Sequence, residues 1–136
     1  MKRVLAVAVS IFLVMGLLGG CGSAKVTYKD GTYEAKSDPD KEGNSGTIKI
    51  TVSGAKITAV EWKEYYNGAL KDENYGKESG DKVYAIAQKA RKGSSTYPNK
   101  LIEVQNPEKV DAVSGATQSN ELFKKLAQQA LKDAKS

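Results

Sequence analysis

Asp111-Ala112-Val113-Ser114-Gly115-Ala116-Thr117 is the stretch of this 136-residue chain whose residue types and order could carry chemistry. It ends where a helical pattern begins, so the hydroxyls of Thr117 and Ser119 fall at a helix N-terminus. Backbone N–H groups there lack intrahelical acceptors, and the helix dipole adds positive character. Such a place receives a phosphate without help from Arg or Lys. Gly115 and Ala116 leave little bulk beside the Thr117 hydroxyl, so a bound group or a modifying enzyme could approach closely. A plainer arrangement uses the same residues: Thr117 or Ser119 as N-cap, Gly115 in a turn, Asp111 as turn acceptor. The spacing alone leaves both open.

Composition removes several other chemistries. The chain has no His, which excludes Ser-His and Cys-His catalysis and His-ligated metal sites. Cys21 is the single cysteine, so it has no disulfide partner within the chain and no Cys-rich metal site can form. The net charge is +5, with Lys dispersed among acids and no basic stripe interleaved with aromatics, which argues against nucleic acid as a partner. No residue stands out as a general acid or base set up for turnover.

The elements that must position the Asp111–Thr117 stretch can be read along the chain. Thr47–Val52 alternates cleanly, with Ile48, Ile50 and Val52 on one face, and predicts a half-buried strand. Ser53-Gly54-Ala55-Lys56 makes a turn, and Ile57–Tyr66 returns as the second strand of a hairpin. Its alternation is imperfect: Ile57 and Ala59 share one face, and Thr58, Val60 and Trp62 the other, which calls for a bulge or two-sided burial at one end. Asp30-Gly31 begins a short extended segment, Ser37–Gly46 and Asn67–Gly80 read as loops, and Ser94–Pro98 reads as a turn. Asp81–Lys92 carries Val83, Ile86, Ala87 and Ala90 at amphipathic-helix spacing, with Asp81 at its start and Gly93 as its stop. The last helix is expected over Asn120–Ala134, with Phe123, Leu126, Ala127, Ala130, Leu131 and Ala134 along one stripe. No repeat divides the chain. The expected fold is a single small α+β domain: an antiparallel sheet built on a β-hairpin, packed helices and a closing C-terminal helix.

The N-terminus is of another kind. Lys2 and Arg3 precede an apolar run, Val4–Leu18, which is too short and too soon followed by polar residues for a spanning helix. Leu18-Gly19-Gly20-Cys21 resembles a bacterial lipobox, which implies cleavage before Cys21 and lipid on its sulfur and new amino group. The expected organisation is therefore residues 1–20 as a lipoprotein signal peptide, 21–29 as a lipidated tether and 30–136 as the domain. Lys2 and Arg3 leave with the signal peptide, and the mature chain carries a mildly basic +3.

Asp111–Thr117 resembles the flavinylation motif of FMN-binding domains, D-x-x-[ST]-G-A-[ST], at each constrained position. That domain type occurs in the flavin-carrying subunit of sodium-pumping NADH:quinone reductases and in lipoproteins of extracellular electron transfer. The resemblance extends to D-G-T-Y-E-A at Asp30–Ala35, to G-T-I-K-I-T-V and K-I-T-A-V-E in the hairpin, and to the helix before the motif. Asp72–Lys77 (D-E-N-Y-G-K) is similar to segments of the lipoprotein branch, without an assigned role.

What the resemblance implies is specific. FMN would be joined through its phosphate to the oxygen of Thr117 by a flavin transferase that uses FAD as donor and magnesium as cofactor. Asp111, Ser114, Gly115 and Ala116 would serve recognition and packing. The protein would be held at the cell membrane by lipid on Cys21, facing the extracytoplasmic side. There it would carry electrons from a membrane redox donor to an extracytoplasmic acceptor, as a redox carrier more than a self-sufficient enzyme. Trp62, Tyr65, Tyr66, Tyr75, Tyr84 and Tyr97 are the aromatics available to pack on the ring. The alternatives are a surface-binding lipoprotein that uses the fold without flavin, and a flavin-dependent reductase with its own substrate pocket.

Overall fold

The computed structural model describes residues 25–135; Cys21, the lipobox and the signal peptide lie outside them. Four strands form one antiparallel meander in the order β1 (Gly31–Lys36), β2 (Asn44–Ser53), β3 (Lys56–Tyr66) and β4 (Ala69–Leu70). Three helices follow: α1 (Asp81–Ser94), α2 (Tyr97–Val104) and α3 (Thr117–Ala130), the last extended by a 3-10 turn over Leu131–Asp133. This is the α+β domain that the patterning predicts. Among the described residues no helix is long and apolar enough to cross a membrane.

The sheet is one-sided, as an antiparallel sheet with one wet face should be. Ile48, Ile50 and Val52 of β2 are buried, whereas Lys49 faces outward and pairs with Glu34 of β1 at 3.7 Å. α3 lies across β1 and β2, and α2 across β3. Phe123, Leu126, Ala127, Ala130, Leu131 and Ala134 are all buried, so the stripe read on the last helix is the one that builds the core. Removing the Phe123 ring would cost about 3–5 kcal/mol.

The imperfect alternation of β3 resolves as a bulge. Thr51 pairs with Ala59 but Val52 pairs with Ile57, so Thr58 is the extra residue and the phase shifts by one. Ile57 thereby joins Val60, Trp62 and Glu64 on the helix-facing side. The carboxamide of Gln105 serves the bulge as a strand would: its Oε1 accepts from Ile57 N at 2.8 Å, and its Nε2 donates to Ile57 O at 2.9 Å.

Several local expectations need correction. Asn67–Gly80 is not a plain loop. Asn67 and Gly68 both adopt positive φ and turn the chain back into the two-residue strand β4, an Asn-Gly hairpin. Ser94–Pro98 closes directly into α2, where Pro98 sits in the first turn, the one part of a helix that tolerates it. Gly93 does not stop α1, which continues to Ser94. α3 begins at Thr117, three residues before the expected start, and it ends sooner, at Ala130. The segment expected to be tether is in part structural: Tyr28 is buried, its hydroxyl donates to Gln105 O at 2.9 Å, and Lys29 N donates to Ala134 O at 2.7 Å.

Candidate functional site

Val110 through Ala116 leads from the 3-10 turn Pro107–Lys109, which follows α2, to the start of α3 and is tied down from three directions. Asn120 Nδ2 donates to Val110 O at 2.9 Å, Tyr97 Oη donates to Ala116 O at 2.7 Å, and Val113 N donates to Tyr97 Oη at 3.1 Å. Tyr97 is wholly buried, and burial holds its phenol above the usual range, partly offset by the Val113 amide. From α1, Gly93 packs so closely that a Cβ there would lie 2.9 Å from the Ala116 methyl and 3.1 Å from Val113. The glycine permits a close approach of helix and loop, which is its role in place of a stop.

Gly115 has φ 87°, a conformation that favours glycine, and it swings the chain so that Thr117 opens α3 with its side chain exposed. The N-cap position falls on Ala116, which has no side chain able to cap. Neither Thr117 nor Ser119 caps the helix: the Ser119 hydroxyl turns away and donates to Glu64 Oε1 at 2.8 Å. The cap expectation for these two residues is therefore overturned. The amides of the first turn keep their donors uncapped by any side chain, beside an exposed hydroxyl.

Thr117, Gly115 and Ala116 border a broad cleft of about 1280 Å³. Small-molecule sites generally occupy about 300–1,000 Å³. Residues of α1 line the cleft as well. The apolar stripe of that helix does not face the core: Val83 is 47 % exposed and Ile86 69 % exposed, and with Ala87 and Ala90 they line the cleft. The buried residues of α1 are Gln88, Gly93 and Ser94. Amphipathic spacing was read correctly, but the side it turns to the core is the polar and small-residue side. Exposed apolar side chains grouped in one cleft are the kind of surface that binding sites present.

The Asp72–Lys77 segment is fastened to α1. Gln88 Nε2 donates to Asp72 O at 3.1 Å and to Tyr75 O at 3.0 Å, and Tyr84 Oη donates to Glu73 O at 2.7 Å. Tyr75 thereby reaches the cleft, with its ring centroid 5.7 Å from that of Tyr66. Burial raises the Tyr75 phenol pKa, with a further push from Tyr66 and Glu64. Of the six aromatics offered by the sequence, Tyr66 and Tyr75 line the cleft. Trp62 stands edge-on to Phe123 at 5.2 Å and Tyr97 lies 5.6 Å from the same ring, so these two belong to the core.

The floor holds what sequence reasoning missed. Glu64 is only 8 % exposed, yet it accepts from Ser119 of α3 and from Ser94 of α1, and Lys71 Nζ lies 3.6 Å from its Oε1. Trp62 Nε1 donates to Ser94 Oγ at 2.8 Å, which extends the network into the core. One signal was available: Glu64 shares the inward phase of β3 with Val60 and Trp62. Of the other predicted site residues, Asp111 and Ser114 are exposed on the same loop, outside the cleft lining. Lys89 lays its stem against Gly115, and Arg91 and Lys125 border the cleft.

Comparison with known proteins places this geometry. The chain is 30% identical over 124 residues to the 15 kDa lipoprotein of Treponema pallidum (strain Nichols), an alignment covering 88% of this chain and 84% of that protein. Its fold is similar to the crystal structure of the CPE2226 protein from Clostridium perfringens, with a TM-score of 0.64 and 29% sequence identity. That match covers 79% of this chain and 88% of the other. Residues 43–132, which include the strands β2–β4, all three helices and the Thr117 loop, match the model of the FMN-binding domain. The chain belongs to the FMN-binding domain family.

Proposed function

We propose that this protein is a membrane-anchored lipoprotein that holds FMN covalently on Thr117 and carries electrons on the extracytoplasmic side. The observation that carries the reading is an exposed Thr117 hydroxyl at an uncapped helix start and the exposed apolar side chains of Val83 and Ile86 lining one cleft. A phosphate ester on Thr117 would lie beside the first-turn amides of α3, while the wall of α1 and Tyr75 would cover the ring. The isoalloxazine ring supplies the redox chemistry when bound, and the protein contributes attachment, orientation and electrostatics.

The attachment is a group transfer in which Thr117 is the acceptor. Its Oγ1 attacks the flavin-side phosphorus of FAD held by a flavin transferase with magnesium. The new bond is threonyl O–P, the diphosphate P–O bond breaks, AMP leaves and the hydroxyl proton is released. The exposed position of Thr117, at the start of α3 and directly after a loop fixed by Tyr97, Asn120 and Gly93, gives the transferase access to its hydroxyl. Asp111 and Ser114, exposed on the same loop, face outward where a transferase can read them.

The lipobox at Leu18–Cys21 and the name of the Treponema relative support lipid anchoring at Cys21. Anchoring sets the carrier between a membrane redox donor and an extracytoplasmic acceptor. Co-production with a competent flavin transferase, followed by denaturation and absorbance near 450 nm, tests the cofactor. Colour that stays with the polypeptide is expected; a colourless chain would leave a surface-binding lipoprotein that uses the fold without flavin.

A further inference from the structure

Nine charged side chains border the cleft, and seven of them are solvated or turned elsewhere. Asp38, Asp40, Lys41, Glu42, Glu121 and Lys125 are exposed, where solvent and salt screen them, and half-buried Arg91 donates its Nε to Gln88 Oε1 at 2.8 Å. Glu64 and Lys71 differ. Their side chains are 8 % and 12 % exposed, their charges stand 3.6 Å apart, and the Lys71 ammonium lies 5.2 Å from the Tyr75 ring centroid. The Glu64 oxygen that faces Lys71 is also the one that accepts from Ser119, on the turn that starts with Thr117. Charges this poorly solvated act over several ångströms at a strength that surface charges do not reach.

We propose that Lys71 and Glu64 are an opposed pair that sets the reduction potential of a flavin held in this cleft, Lys71 raising it and Glu64 lowering it. The inference rests on the reading that flavin occupies the cleft. Taking up two electrons and one proton leaves the ring with one negative charge, which a nearby cation stabilises and a nearby carboxylate opposes. Ser94 and Ser119 are positioning residues: by donating to Glu64 they fix where its charge sits, and Tyr75 does the same for the ammonium.

The test is a spectroelectrochemical titration of flavin-loaded protein carrying Lys71→Met, Lys71→Arg or Glu64→Gln. Lys71→Met should move the midpoint potential negative, Glu64→Gln positive, and Lys71→Arg should leave it near the wild-type value. A purely structural role would move melting temperatures and not produce shifts of opposite sign. If Glu64→Gln does not fold, the contrast between Lys71→Met and Lys71→Arg decides alone. Loaded variants that share the wild-type potential, or shifts of the same sign for Lys71→Met and Glu64→Gln, overturn the inference and leave covalent attachment standing. Wild-type protein that acquires no flavin beside an active transferase overturns both.

Discussion

Ser119, in the first turn of α3, donates its hydroxyl to Glu64 of β3 at 2.8 Å, across 55 residues of sequence. The bond couples the helix that starts at Thr117 to the inner face of the sheet, and it removes Ser119 from the capping role that its position invites. Ser119→Ala should cost about 1–2 kcal/mol, since Glu64 keeps Ser94 and Lys71 as partners. Ser119→Asp separates the roles. An N-cap tolerates Asp as well as Ser, whereas a second carboxylate against Glu64 is repelled. Denaturant unfolding should therefore rank Ser119→Asp below Ser119→Ala; the reverse order would restore the cap.

Gly93→Ala tests the close approach of α1 to the Thr117 loop. The new methyl would meet the Ala116 Cβ at 2.9 Å, so the loop must give way, at about 1–3 kcal/mol. Alanine normally stabilises a helix relative to glycine. A stabilised Gly93→Ala protein in a melting experiment would contradict the packing described.

The exposed wall of α1 yields a prediction of a different kind. Ile86→Ser should change the stability of the flavin-free protein by no more than about 0.5 kcal/mol, because Ile86 contributes little to the core. In flavin-loaded protein the same change should alter ring fluorescence, since it removes apolar cover. Unchanged emission alongside unchanged stability would mean that the ring lies elsewhere.

Tyr28, Tyr75 and Tyr97 all have phenols whose pKa burial raises above 10.0. The neutral phenol is the form the fold prefers, so their contribution to stability is fully present below the unfolded pKa. It is lost as pH rises above about 10 and the unfolded chain deprotonates first. Melting temperatures should fall from pH 9 to 11, and Tyr97→Phe should flatten that fall. The same variant should cost about 1–2 kcal/mol at neutral pH, because Val113 N loses its acceptor and Ala116 O keeps only its helix donor, Asn120 N.

Much of the frame was legible because it is local. The alternation of Ile48, Ile50 and Val52, and the stripe from Phe123 to Ala134, state directly which face is apolar. Even the Thr58 bulge announced itself as a break in phase. The α1 helix was legible from its stripe, but spacing reports that a helix has an apolar face, not what covers it; here Val83 and Ile86 are left to the cleft. α2 was hidden because Pro98 reads as a turn residue and is equally a first-turn helix residue. β4 is too short for a pattern, though Asn67-Gly68 was a usable signal. The Glu64 network was out of reach of local reading, since its partners stand 30 and 55 residues away on two helices.

The central claim is a bond at one oxygen, so intact mass after denaturation tests it most directly. Protein co-produced with a flavin transferase should gain the mass of one FMN less one water. Thr117→Ala should stay at the unmodified mass while unfolding at nearly the wild-type denaturant concentration, because Thr117 is exposed and caps nothing. A wild-type chain without the added mass, or a Thr117→Ala chain that still carries it, would contradict attachment at Thr117.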